Sequence, residues 1–231
     1  MPSTTRNTTV SSRSSKNAST AETLTDRAYT ELEELIVTLQ LEPGSVLSEQ
    51  MLAERLRIGR TPIREALQRL ARERLVVILP RRGIMVSAID VRSQLRLLEV
   101  RREIERLVAR GAARRATPTE RTRFAELARA FERAARTDDD KSFMRTDREF
   151  NELCLEAVRN EFAAGAMQLM NSLSRRFWFH HYKQAADMPE TAKLHADIAR
   201  AIAAGDEKGA GAALDRLLDS IETFTRATVE V

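Results

Sequence analysis

The stretch between residues 48 and 72 constrains the fold of this chain more than any other, because two short amphipathic segments meet there across a very short break. Ser48 is placed to cap a first helix, and Ile58-Gly59 interrupts the apolar pattern after it. We expect Thr61 to cap a second helix, with Pro62 at the first helical position, where a missing N–H costs nothing. Apolar residues three and four apart give this second helix one inner face. The stretch therefore predicts a helix-turn-helix.

Two β-rich runs follow the pair of helices. Val76–Leu79 and Ile84–Val86 flank the sequence Pro80-Arg81-Arg82-Gly83, whose residue types are typical of a hairpin turn. Before the pair, Thr25–Leu41 carries a helical apolar stripe that Pro43-Gly44 ends. Three helices and a hairpin within about 65 residues make up a complete small domain.

The rest of the chain has the apolar periodicity of helices throughout. We expect six of them, near 91–115, 118–136, 140–159, 161–184, 188–204 and 207–228. Thr117 and Glu120 form a capping box before the second helix, and Gly205 ends the fifth. The predicted fold class is therefore mainly α. An N-terminal winged helix-turn-helix, with three helices and a β-hairpin wing, covers 21–89, and an all-α bundle of about six helices covers 90–231.

Residues 1–20 differ in composition from both domains. Eleven of them are Ser or Thr and none is acidic, so the segment cannot bury enough apolar surface to fold, and we expect a disordered arm. A transit peptide would have a similar composition, whereas the apolar core of a signal peptide is missing. The longest apolar run of the chain, Leu75–Leu79, is far shorter than the roughly 20 residues of a membrane span. A cytoplasmic protein with no membrane partner is expected.

Cysteine and arginine usage narrow the chemistry further. Cys154 is the single cysteine, which excludes a disulfide framework and a cysteine-built zinc site. Arginine outnumbers lysine 33 to 5, a bias that suits phosphate recognition but that a GC-rich genome also produces. Position is more informative than the total, because nine arginines and two acids lie between Arg55 and Arg82, a local charge of +7 in a chain of +4. Such a concentration is typical of a surface that binds a polyanion.

The first turns of the second helix hold the candidate base readers. Arg60 and Arg64 share the face opposite the apolar positions, and arginine is the commonest bidentate reader of guanine O6 and N7. Thr61 is placed to donate to a phosphate. Arg81 and Arg82 occupy the hairpin tip, where a wing meets the DNA backbone or the minor groove. The alternative for each arginine is a solvated basic face, but the cap, the turn, the spacing and the wing together favour major-groove binding.

This arrangement resembles the winged helix-turn-helix of GntR-type bacterial transcription regulators. The resemblance rests on Leu47-Ser48-Glu49, on Gly59-Arg60-Thr61-Pro62-Ile63-Arg64-Glu65-Ala66-Leu67 and on Pro80-Arg81-Arg82-Gly83-Ile84-Met85-Val86. It implies base contacts from Arg60 and Arg64 and a phosphate or base contact from Thr61. It also implies a wing contact at Arg82-Gly83. Arg74 departs from the family, which more often has glycine before the Leu-Val of the wing.

The helical half resembles the FadR-like branch of that family, whose FCD-type domain binds a small effector. The likeness is carried by Leu98-Glu99-Val100-Arg101, by Asp147-Arg148-Glu149-Phe150 and by His195 with Ile198. The apolar stripes agree, because they include four polar residues: Arg101, Asp147, Asn151 and His195. A polar group buried without a partner costs about 1–3 kcal/mol, so these residues are predicted to bind the effector. The alternatives are an internal Arg101–Asp147 pair and a satisfied core histidine.

The same resemblance implies a divalent metal site of one Asp and three His, which this chain retains only in part. The four ligand positions hold, in chain order, Asp147, Asn151, His195 and Leu217. Tight sites need about four well-placed donors, or three donors and a water. We therefore expect no cofactor and no tightly bound metal, with a weak divalent ion at Asp147 and His195 at most. Either of two further histidines, His180 or His181, could complete a site.

Together these features predict a homodimeric regulator that binds an inverted-repeat operator and responds to a ligand. The ligand is expected to be a small organic acid, because Arg101 supplies a fixed cation in the predicted pocket. The family more often contains repressors, so repression is the expected sign of regulation. Two rival hypotheses are an effector-blind architectural DNA binder and an enzyme, for example a metal-assisted hydrolase using Asp147 and His195. Against the enzyme, the sequence shows no nucleophile–base pair, phosphate loop or full metal-ligand set.

Overall fold

The computed structural model describes residues 23–185 and 187–228, so the predicted arm over 1–20 lies outside the described residues. The elements of the N-terminal part are α1 (Leu24–Val37), β1 (Val46–Leu47), α2 (Glu49–Leu56), α3 (Arg60–Arg72), β2 (Val76–Leu79) and β3 (Gly83–Val86). They are followed by α4 (Val91–Arg115), α5 (Pro118–Thr137), α6 (Asp140–Ala157), α7 (Glu161–Ala185), α8 (Met188–Ala204) and α9 (Glu207–Ala227). The predicted mainly α fold, with a winged helix-turn-helix before a helical bundle, is confirmed.

The three N-terminal helices and a small sheet share one apolar core. Ile63 and Leu70 are fully buried where α1 packs against α3. The antiparallel sheet has the order β1-β3-β2, and Val46 of β1 pairs with Met85 of β3. β1 was not predicted, because two residues carry no readable alternation and only the pairing with β3 defines the strand.

The start of α3 differs from the prediction. α3 begins at Arg60, and its N-cap is Gly59, which has an extended backbone and makes no side-chain cap. Placing Thr61 at the cap and Pro62 at the first helical position was therefore wrong, since they are the second and third residues of the helix. Pro62 is tolerated there because the first four N–H groups of a helix have no partner within it. As a result, Arg60 and Thr61 both lie in the first turn.

The end of α1 differs from the prediction, whereas the start of α2 agrees with it. α1 ends at Val37 rather than near Leu41, and Leu39 takes a left-handed φ of +61° that no helix continues through. Ser48 caps α2 as predicted, since its hydroxyl oxygen accepts from the backbone N–H of Met51 at 3.1 Å.

The six C-terminal helices form a bundle in which α5 packs on α8 and α4 packs on α9. Their bounds agree with the predicted ones to within two residues. The capping box is present, because the Thr117 backbone N–H donates to the Glu120 carboxylate at 2.8 Å and Thr117 Oγ1 accepts from the Glu120 N–H. Gly205 ends α8 with a φ of +73°, a left-handed conformation that glycine adopts without strain. Among the helices described here, none is long and apolar enough to span a bilayer.

Candidate nucleic-acid interface and ligand site

The predicted base readers lie on the solvent face of α3. Arg60, Thr61 and Arg64 are exposed, whereas Ile63 and Ala66 on the opposite face are fully buried in the N-terminal core. The apolar face therefore anchors the helix and leaves its first turns accessible. A recognition helix needs this placement to enter a major groove.

Arg64 forms a bidentate ion pair with Glu49, the first residue of α2. Its Nε and Nη2 donate to the two carboxylate oxygens at 2.8 and 2.7 Å. The hydrogen bond from Arg64 is the main cause that lowers the pKa of Glu49, with partial desolvation acting in the opposite direction. This contact was not predicted, because the two residues are 15 apart in sequence and meet only where α2 packs against α3.

The wing presents two exposed arginines on a tight turn. Arg81 has a left-handed φ of +62°, and the N–H of Arg82 donates to the carbonyl oxygen of Leu79 at 3.1 Å. Gly83 has a φ of +100°, and a Cβ at this position would lie 2.9 Å from the carbonyl oxygen of Leu47. Glycine is therefore required where the wing crosses β1. The side chains of Arg81 and Arg82 extend from this tight turn into solvent.

Most arginines around this surface form no ion pair with the residues that the structure describes. Of the nine between residues 55 and 82, Arg64 and Arg69 are the two that pair with a carboxylate of a described residue. The remaining seven guanidinium groups belong to exposed residues. Exposed cations without carboxylate partners are available to replace the counterions of DNA phosphates.

In the helical domain the structure brings Asp147 and His195 together. His195 Nε2 lies 3.2 Å from Asp147 Oδ1, and Nδ1 lies 2.8 Å from the carbonyl oxygen of Thr191. Because a carbonyl oxygen only accepts hydrogen bonds, Nδ1 carries a hydrogen. Nε2 then faces the carboxylate with a second hydrogen in the imidazolium form, or with a lone pair in the neutral form. His195 is 8% exposed, and the rings of Phe131 and Phe143 lie 5.1 and 5.4 Å from its ring. The pair is thus a polar centre within aromatic packing.

Arg101 pairs with Glu105, one turn along α4. Arg101 Nε donates to Glu105 Oε1 at 2.5 Å, and both side chains are largely buried. Cys154 is buried near Glu105 and Asp147: burial is the main cause that raises the pKa of its thiol, and the charges of the two carboxylates add to it. The alternative in which Arg101 pairs with Asp147 is not the arrangement found. Instead, α4, α6 and α8 bring the Arg101–Glu105 ion pair and the Asp147–His195 contact close to the thiol of Cys154.

Asn151 is exposed, so its placement on the inner stripe of α6 was wrong. Four residues advance a helix by about 40° beyond a full turn, which carries Asn151 past Asp147 and off the apolar face. Its Nδ2 still donates to Asp147 Oδ1 at 3.1 Å. Asn151 therefore contacts the polar centre from its solvent side.

The donors at this centre do not fit a tightly bound metal ion. Within 23–185 and 187–228, no three His, Cys, Asp or Glu side chains lie together in a way that could hold one. Leu217, at the position of a family ligand, is buried and apolar. His180 is exposed, and the ring of His181 packs on that of Phe177 with 4.6 Å between centroids. Weak or absent metal binding stays a prediction that rests on the chemistry of these side chains.

Helix α7 carries three buried polar atoms with no hydrogen-bond partner among the described residues, namely Ser174 Oγ, Arg176 Nε and Trp178 Nε1. Ser174 and Trp178 are four residues apart and share one face of the helix. The Trp178 ring packs against Phe143 and Phe224 inside the bundle, with centroids 6.5 and 4.9 Å away. Buried polar atoms nearly always have a hydrogen-bond partner, so Ser174 Oγ and Trp178 Nε1 are exceptions within the part of the chain that the structure describes.

Two arginines of α7 hold the N-terminal domain. Arg176 is 3% exposed, and its Nη1 and Nη2 donate to the carbonyl oxygens of Ser87 and Ala88 at 3.1 and 3.2 Å. Burial lowers the pKa of Arg176 to about 10. Arg175 forms ion pairs with two acids of α1, the nearer being Glu33 at 3.0 Å. No sequence pattern marks the interdomain contact that these two arginines make.

Comparisons with known proteins agree with this division of the chain. The bacterial regulatory proteins of the gntR family match residues 24–86, and the FCD domain matches residues 96–220. The HTH-type transcriptional repressor RspR of Escherichia coli is 25% identical over 191 residues, which are 83% of this chain and 84% of RspR. The galactonate operon transcriptional repressor of Escherichia coli is 28% identical over 232 residues, covering 90% of this chain and 97% of the repressor.

Two further similarities concern one domain or the fold alone. An HTH-type regulator in an unstable DNA locus of Streptomyces ambofaciens is 45% identical over 62 residues, which are 27% of this chain and 26% of that protein. The solved structure of Escherichia coli McbR/YncC superposes with a TM-score of 0.75 at 21% identity, covering 90% of this chain and 99% of that one. The similarity to McbR/YncC supports the fold described above.

An exposed basic recognition helix, a wing and an attached helical bundle define a DNA-binding transcriptional regulator, a class that acts by binding and is not enzymatic. The FCD match alone spans more than half of the residues. The chain belongs to the gntR family of bacterial regulatory proteins, as a member with an FCD effector-binding domain.

Proposed function

We propose that this regulator is a repressor whose affinity for its operator is controlled by a small organic acid bound inside the helical domain. The observation that carries the proposal is the double role of α7. Ser174 and Trp178 carry buried polar atoms that have no partner among the described residues, while Arg175 and Arg176 contact the DNA-binding domain. A ligand that hydrogen-bonds to Ser174 and Trp178 contacts α7, and α7 also positions Arg175 and Arg176. It changes operator affinity if it binds one arrangement of the domains better than the other.

The chemistry inside the bundle favours an acid as the ligand. Glu105 accepts from Arg101 Nε, and neither terminal nitrogen of Arg101 has a partner among the residues described. Two parallel N–H groups of this kind bind a carboxylate bidentately. Separately, Trp178, Thr191 and Phe224 line a groove of about 280 Å³, which is large enough for a small acid.

The names of two relatives support the sign of regulation and the class of ligand. RspR and the galactonate regulator of Escherichia coli are both named as repressors, and the operon of the second is named for an organic acid. On this basis we expect the free protein to occupy its operator and the acid to release it.

We further propose that the regulator is a homodimer joined through α4 and α7. Val100 and Leu107 on α4 are exposed, as are Phe162 and Leu169 on α7, with Phe162 81% exposed. Each pair is seven residues apart, about two helical turns, so each forms one stripe, and α4 packs against α7. A second copy offers the same apolar surface across a two-fold axis. The two recognition helices of such a dimer bind an inverted repeat.

The test is a gel-shift and footprinting assay with DNA from upstream of the protein's own gene, with and without each of a panel of small carboxylates. We expect protection of an inverted repeat and release by at least one acid. Equal affinity for a scrambled duplex at physiological salt would contradict the DNA assignment. Release by none of the acids would contradict the effector assignment alone.

The single tryptophan provides an independent measure of ligand binding. Trp178 is the chain's one tryptophan, so its fluorescence reports on the proposed site. We expect a saturable change with the acid that releases DNA, and no change in a Trp178→Phe variant. The acid should be recovered unchanged after prolonged incubation, because an enzyme would convert it. Recovery of a product would favour the hydrolase alternative.

A further inference from the structure

The ion pair between Arg64 and Glu49 leaves one edge of the guanidinium group free. Glu49 accepts from Nε and Nη2, which form the side edge of the group. A guanidinium has five N–H donors in a fixed plane. The end edge, with one N–H from each terminal nitrogen, has no partner in the described part of the chain. This edge matches the O6 and N7 acceptors of guanine.

The ion pair also restricts a long and otherwise mobile side chain. The Arg64 side chain is 60% exposed, and free rotation would have to be lost when it binds a base. Glu49 is the first residue of α2, a helix fixed by its Ser48 cap and by the buried Leu52. The carboxylate therefore projects from a rigid element and fixes the guanidinium plane before DNA arrives. Such preorganisation reduces the entropic cost of binding.

The location of Glu49 is unfavourable for affinity alone. An ion pair with this exposure contributes little to folding. Its carboxylate stands beside a stretch with a local charge of +7, where a negative charge weakens attraction to phosphates. A carboxylate in this position is better suited to selectivity, because it keeps Arg64 from turning to a nearby phosphate on DNA of any sequence.

We propose that Glu49 is a specificity-determining residue that orients Arg64, so that the end edge of its guanidinium reads one guanine of the operator. Glu49 itself touches no base and acts as a positioning residue. The inference rests on the proposed reading of DNA by α3 and is independent of the effector.

Three variants separate the effect of the position of the Glu49 carboxylate from the effect of its charge. Glu49→Asp keeps the charge but withdraws the carboxylate by one methylene, and Glu49→Gln keeps the length but removes the charge. Glu54→Gln is the matched control, since Glu54 is an exposed acid of the same helix whose described hydrogen bond is with Gln50. Fluorescence anisotropy gives Kd for the operator, for duplexes with each base pair changed in turn and for a scrambled duplex.

We expect both Glu49 variants to lose discrimination at one base pair, the same one that Arg64→Ala relaxes, with the other positions unchanged. A bidentate guanine contact is worth about 5- to 150-fold, and we expect a loss of at least about fivefold. Glu49→Gln should also bind the scrambled duplex more tightly. Glu54→Gln should tighten binding to every duplex while its discrimination stays at the wild-type level.

Several outcomes would overturn the inference. Unchanged discrimination in both Glu49 variants would do so, and so would greater discrimination in Glu49→Gln, because the pair would then be withholding Arg64 from DNA. If the wild-type protein fails to discriminate between duplexes, the proposed DNA reading has failed instead. Circular dichroism checks each fold, and Glu49→Asp decides the matter if Glu49→Gln unfolds, because it retains an acid in the first turn of α2.

Discussion

Replacing Arg176 with methionine tests whether α7 connects the two domains. Methionine keeps a long unbranched side chain and loses both hydrogen bonds to the carbonyl oxygens of Ser87 and Ala88. Hydrogen bonds from a charged donor contribute about 1.5–3 kcal/mol each, or about 3–6 kcal/mol for the two. The cost of burying the charge, which lowers the Arg176 pKa to about 10, offsets much of this. We expect the interdomain contact to weaken by about 2 kcal/mol net.

Calorimetry and operator release measure the two consequences of this change. The DNA-binding domain of Arg176→Met should melt at a lower temperature than the bundle, as a separate transition. A loss of about 2 kcal/mol reduces coupling through this contact by up to about 30-fold, so the acid should release operator poorly while DNA binding without ligand persists. Arg129→Met is the control, because Arg129 is exposed on α5 and forms no ion pair with a described residue. Wild-type melting together with wild-type release would refute the reasoning.

Four further predictions follow from particular residues. Arg64→Ala should cost about 1–3 kcal/mol of operator affinity and relax specificity at one base pair, while Arg82→Ala should weaken binding to all sequences alike. Identical specificity profiles for Arg64→Ala and wild type would argue against the recognition-helix assignment. Because burial raises the pKa of the Cys154 thiol, a thiol reagent at pH 8 should label it only after denaturation, and rapid labelling of native protein would show that the bundle opens. Arg74 has a left-handed φ of +61°, so the Arg74→Gly variant should be more stable than Arg74→Ala by up to about 1 kcal/mol. An equal or lower Tm for the glycine variant would exclude backbone strain at this position. Elemental analysis of purified protein should find far less than one zinc, nickel or manganese per chain, whereas a stoichiometric ion would mean that additional donors complete the site.

Local structure followed from the sequence because it depends on residues within about four positions of each other. The capping box of Thr117 and Glu120 begins α5, and the left-handed Gly205 ends α8, whatever lies beside these residues. The reading face of α3 follows in the same way, because the helical repeat turns Arg64 by about 100° away from the buried Ile63 and towards solvent. Even here the first residue of α3 was misplaced, since Gly59 caps the helix without a side chain that could signal it.

The tertiary structure alone decided the contacts between elements that are distant in sequence. Glu49 and Arg64 meet because α2 and α3 pack across their turn, and the two-residue β1 exists only through its pairing with β3. Helix α7 shows the reason most clearly. Periodicity assigns a helix one inner face, but α7 packs on α4 in the bundle and on α1 in the other domain. The positions of both neighbours decide which polar side chains of α7 turn inward. They also decide which ones contact the DNA-binding domain, as Arg175 and Arg176 do.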